Sequence, residues 1–159
     1  MNKCRNFLFL ICLLLIGFIS RAQTTRITNF DELMQSLNSG EQVRVVIQYG
    51  LCEWAPNQQK QSPTPDAITG MNIDVYEYFS PGLVNNKMAF VVFSNAKLIQ
   101  NPIGKGFVYN YGKLRINADN SVQIKARYIH PKNLKVVMDE TFIGEINDGT
   151  NKKGINLFK

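Results

Sequence analysis

Glu77 and Glu140 are the residues whose setting could give this chain chemistry. Side chains alternate between the two faces of a β-strand. Across Met71–Phe79, Glu77 keeps step with Met71, Ile73, Val75 and Phe79. Across Leu134–Phe142, Glu140 keeps step with Leu134, Val136, Met138 and Phe142. The pattern predicts two carboxylates turned toward apolar surroundings, where each must be ion-paired, hydrogen-bonded or protonated. Arg115 and Arg127 are the candidate partners, because a guanidinium grips a carboxylate with two bonds. Arg115 shares a face with Phe107, Tyr109 and Tyr111. One expectation is a polar anchor of Glu77, Glu140 and Arg115 in a barrel mouth, with Tyr76, Tyr78, Tyr109 or Tyr111 nearby. Such a mostly apolar site with a few placed polar groups suits a small ligand. The plainer expectation is a closed internal ion pair that only fixes register. A β-bulge that turns one glutamate to water is a third.

Other chemistry has less to stand on. His130 is the single histidine and precedes Pro131 in a turn, where a solvated side chain is expected. Cys52 has no base close in sequence to activate it as a nucleophile. Asp139 and Glu140 are adjacent, so a strand sends them to opposite faces. Hydrolysis by paired carboxylates would need Glu77 and Glu140 to meet across strands. With Cys4 and Cys12 inside residues 1–22, one histidine and one cysteine remain, zinc lacks its usual ligands, and neither a metal nor a cofactor is expected. Gly104-Lys105-Gly106 is a turn, not a phosphate loop. Catalytic residues are assigned to none of these positions.

The elements that would hold these residues are mostly strands. One helix is legible: Asn29 as cap, Glu32 three residues on, and Phe30, Leu33, Met34 and Leu37 as one apolar stripe that Gly40 ends. Strands are predicted at Gln42–Tyr49, Met71–Phe79, Lys87–Ser94, Gly106–Ile116, Val122–Ile129, Leu134–Ile146 and Ile155–Phe158. Short polar turns join most of them, which requires antiparallel neighbours. The fold class is therefore mainly β (α+β): an antiparallel meander of about seven strands, curled or closed into a barrel, with one N-terminal helix. Gly50–Asp66 breaks the pattern with Pro56, Pro63 and Pro65 around a glutamine-rich middle. It carries Cys52 and Trp54, the single tryptophan. A surface linker with Trp54 packed back on the core is favoured there over a functional loop.

Residues 1–22 carry an address. Lys3 and Arg5 precede the apolar run Phe7–Ile19, and Ser20-Arg21-Ala22 offers a cleavage site. This is the layout of a signal peptide, so a secreted or periplasmic location is expected after cleavage near Ala22. The remaining 23–159 make one domain on size, with no transmembrane helix expected in it. Three of the 18 basic residues leave with the leader, so 15 remain against 12 acidic ones. They are scattered, which argues against a nucleic-acid partner. Cys52 becomes the sole cysteine, either buried as a small hydrophobe or paired between chains, and burial is favoured.

Several segments together resemble the VirK family of small exported bacterial proteins. They are F-D-E-L-M-x-x-L at Phe30–Leu37, V-R-x-V-I-x-Y at Val43–Tyr49, Cys52, and G-M-x-I-D-x-x-E-Y-F at Gly70–Phe79. Gly82–Phe90, G-x-V-Y-N-Y-x-K-L-R at Gly106–Arg115 and M-D-E-T-F at Met138–Phe142 complete the set. The resemblance implies an exported protein named for association with virulence regulons, and no activity, catalytic residue or cofactor. It also implies a further downstream cysteine in relatives, able to pair with the one matching Cys52. This chain has Gly144 in that neighbourhood. The expected function is a binding module for a small apolar ligand or a protein surface. A structural or interaction role at the envelope or host interface is one alternative, and a hydrolase using interior carboxylates is another.

Overall fold

The computed structural model describes residues 24–58 and 63–159. The expected leader and residues 59–62 of the Gly50–Asp66 segment lie outside the described residues. Helix α1 spans Phe30–Asn38, as its pattern predicts. Asn29 is extended, and its side-chain oxygen accepts the Glu32 amide at 2.9 Å. Glu32 reaches back one residue further than in a standard capping box, to the Thr28 amide and hydroxyl. The chain leaves the helix through Gly40 at φ 76°, a left-handed conformation that glycine adopts freely. Phe30, Leu33 and Leu37 are buried, with Met34 packed beside them.

Among the described residues ten strands follow the expected order with three differences. They are β1 (Arg26–Ile27), β2 (Val43–Gln48), β3 (Glu53–Trp54), β4 (Ile68–Ile73), β5 (Tyr76–Phe79), β6 (Phe90–Gln100), β7 (Phe107–Asn117), β8 (Ser121–Ile129), β9 (Val136–Glu145) and β10 (Ile155–Phe158). They form two antiparallel sheets, β1-β10-β2-β4 and β3-β9-β8-β7-β6-β5. Only β5 to β9 make a meander; in the small sheet β10 inserts between β1 and β2. A parallel bridge, Ile146 to Ile155, joins the sheets on one side without closing a barrel.

The expected strand Met71–Phe79 is two strands. It breaks at Asp74–Val75, so β4 belongs to the small sheet and β5 to the large one. The Gly50–Asp66 segment is no plain linker either. Short 3-10 turns cover Tyr49–Leu51 and Pro56–Gln58, and Glu53–Trp54 pairs with β9. Gln58 continues that edge: its side chain donates to the Asp139 carbonyl at 3.2 Å and accepts the Thr141 amide.

The core lies between the sheets. One row crosses all six strands of the large sheet: Trp54, Phe142, Ile124, Leu114, Phe93 and Tyr76. The inner face of the small sheet, Val43, Val45, Ile47, Ile155 and Leu157, is fully buried. Each such side chain stabilises the fold by about 1.5–3 kcal/mol relative to exposure. The Phe30 amide donates to the Asn120 side chain in the β7–β8 turn, so α1 covers that end of the core. Among the described residues no second helix covers the other end.

Candidate functional site

At the uncovered end the inner face of the large sheet changes character. Beyond the Phe142–Leu114 row the next positions are Glu140, Ala126, Gly112 and Asn95, and then Met138, Tyr128, Asn110 and Lys97. Small side chains at Ala126 and Gly112 leave space, and polar ones replace the aliphatic core. Strand β4 does not pair with β6 here. The result is a cleft of about 370 Å³, with Tyr49, Thr69, Tyr128, Met138, Glu140 and Phe142 among its walls. A second hollow of about 220 Å³ adjoins it through Tyr49, Thr69 and Asn110, and adds Arg44, Asp74 and Lys97.

The cleft offers a donor and an acceptor in a partly apolar setting. Burial pushes the Tyr49 phenol up to about 12, and negative charge at Cys52, Tyr128 and Glu140 would add to the shift. Tyr49 therefore stays protonated at neutral pH and able to donate. The Tyr49 ring is fixed against Phe142, centroids 4.8 Å apart, and Trp54 stacks on the same phenylalanine at 4.5 Å. Glu140 is half-buried on the inner face, as its alternation predicts.

The other sequence candidates go elsewhere. Glu77 is exposed on the outer face, opposite Val92 and in line with Arg115. The break at Asp74–Val75 shifts the alternation, so the apolar letters before it no longer predict the side of Glu77. Arg115 does share a face with Tyr109 and Tyr111, but that face points away from the core. Its guanidinium lies over the Phe90 ring at 3.7 Å and its Nε donates to Asn117. Arg127 pairs with Asp139 at 3.0 Å on the same outer face, not with an interior glutamate. Tyr76 ends the core row and Tyr78 is exposed on β5. The expected anchor of Glu77, Glu140 and Arg115 is thus not assembled; Glu140 alone reaches the cleft. Trp54 packs on the core as expected, and Cys52 is buried, its thiol raised to about 11 by that burial.

Tyr49, Asn110 and Tyr128 are the site residues that alternation missed. Tyr128 shares a face of β8 with Val122, Ile124 and Ala126. Its position opposite Met138 and one step from Glu140 depends on the β8–β9 register, which the sequence does not print. Among the described residues no cluster of histidine, cysteine, aspartate and glutamate could hold a metal ion. No helix among them is long and apolar enough to cross a membrane.

The model of the VirK protein family matches residues 26–134. No curated protein matches the chain. The crystal structure of a VirK family protein from Legionella pneumophila is similar, with a TM-score of 0.64 at 14% identity, covering 84% of this chain and 98% of that one. At that identity the likeness is one of fold.

Proposed function

The chain belongs to the VirK family, and on that premise we propose an exported, non-catalytic binding module that takes a small, largely apolar ligand between its two sheets. The observation that carries the reading is the change from aliphatic core to Tyr49, Tyr128 and Glu140 at one open end of the sandwich. A cleft of about 370 Å³ falls within the size of small-molecule sites. Phe142, Met138 and Ala126 suit an apolar body. Glu140 can accept from a hydroxyl, amide or ammonium head, and Tyr49 can donate to one that carries an acceptor. Export rests on residues 1–22, and the family name adds the expectation of a virulence-associated role at the envelope or host interface. The hydrolase alternative loses ground, because Glu77 and Glu140 lie on opposite faces of the large sheet.

Native mass spectrometry of protein purified from its own exported fraction tests the reading. One retained small molecule is expected, lost in Glu140→Gln and Tyr49→Phe variants that still fold. Trp54 reports occupancy through its stack on Phe142, so its emission should shift when the retained compound is returned. An unloaded wild-type protein whose emission no amine- or hydroxyl-bearing hydrophobic compound shifts would overturn the proposal.

A further inference from the structure

The β6–β7 and β8–β9 turns project side by side from the open end of the large sheet and share one shallow surface hollow, lined by Ile103, Lys105, Phe107, His130, Lys132 and Val137. Three large apolar side chains stand out at this tip: Ile103, Phe107 and Leu134, 67%, 60% and 69% exposed. Every charged residue of the two turns, 101–106 and 130–135, is a lysine: Lys105, Lys132 and Lys135, all exposed. Asp139, the next acid along β9, is held by Arg127.

The turns are built, not loose. The Asn101 amide donates to the Gly106 carbonyl, and the Asn101 side chain accepts the Ile103 amide. His130 and Lys135 close the second turn through backbone, and Leu134 donates to the His130 carbonyl. Leu134 sits at φ 56°, a left-handed conformation that costs a bulky residue free energy. Strain spent on holding a leucine in water is explained by a surface that meets it.

We infer that this tip docks the protein onto an anionic lipid bilayer, Ile103, Phe107 and Leu134 entering the interface while Lys105, Lys132 and Lys135 meet the headgroups. Lysine stems can lie along apolar surface with the ammonium at the polar level. A like-charged second copy is a poor occupant, since it would bring three lysines against three. Ile103 lines both this hollow and the cleft, while Phe107 and the three lysines line the cleft nowhere, so the docking needs no cleft ligand.

Cosedimentation of the purified protein with vesicles tests it. Binding is expected to phosphatidylcholine mixed in equal parts with phosphatidylglycerol, weakening with salt, and not to phosphatidylcholine alone. Each lysine near such a surface strengthens partitioning by about fivefold. Lys105→Gln, Lys132→Gln and Lys135→Gln together should therefore weaken it by about a hundredfold. Ile103→Ser with Phe107→Ser should weaken it without changing the melting curve. Lys87→Gln with Lys152→Gln, and Glu140→Gln, should leave it unchanged. Equal binding to neutral vesicles, no binding to either, or a dimer in sedimentation that the Ile103 and Phe107 changes dissolve would each overturn the inference.

Discussion

Cys52 and Gly144 face each other in the core: a Cβ built on Gly144 would lie 3.2 Å from the Cys52 sulfur. In a disulfide, each sulfur lies about 3 Å from the partner's Cβ. The glycine thus occupies the place from which a second cysteine would bond the first.

Gly144→Cys should therefore close a bond to Cys52. The expected reading is loss of both free thiols in oxidised protein, restored by reductant, with stability raised by up to about 4 kcal/mol for so long a loop. Gly144→Ala adds the same Cβ 3.1 Å from Ile155 without the bond, so its stability should lie below that of oxidised Gly144→Cys. In protein beginning at residue 23, where Cys52 is the one native cysteine, two titratable thiols in the cysteine variant would count against this geometry. In the unaltered protein, burial of Cys52 predicts slow alkylation until the chain unfolds.

The α1 cap makes stability depend on acid. Hydrogen bonds from Thr28 hold the Glu32 carboxyl below its ordinary value near 4.5. A depressed folded value means the contribution is complete above the unfolded pKa and lost as pH falls through the folded one. Urea unfolding of Glu32→Gln should thus fall below the unaltered protein at neutral pH and converge with it in acid. Asn29→Ala should cost about 1 kcal/mol, because it removes the acceptor for the Glu32 amide.

Phe142 joins the fold to the cleft, with Tyr49 on one side and Trp54 on the other. Phe142→Ala should cost about 3–5 kcal/mol in denaturant unfolding and change Trp54 emission in the folded protein. Gly112→Ala should cost far less. The new Cβ would meet Met71 Cε at 2.8 Å, the far end of a flexible side chain that can move aside.

The Arg127–Asp139 pair bridges β8 and β9 on the outer face, and each partner favours the charged form of the other. Both side chains are partly solvated, so a double-mutant cycle should give about 0.5 kcal/mol or less, falling with added salt.

Local chemistry made α1 and the later hairpins legible: a cap and stripe at Asn29–Leu37, and turns at Gly104-Lys105-Gly106 and His130-Pro131. Glu140 was readable because β9 runs unbroken through it. Glu77 was not, because no glycine or proline marks the step at Asp74–Val75 where the chain changes sheets. The meeting of Tyr49 with Tyr128 and Glu140 joins residues far apart in the chain, and only sheet register brings them together.

Strand β10 lies between β1 and β2, and the Thr25 and Lys159 backbones bond each other in both directions at 2.8 and 2.9 Å. The first strand of the domain therefore has no partner until residues 155–158 have been synthesised. Until then the small sheet holds β2 and β4 alone, and the seam that closes it is the latest-made part of the sandwich.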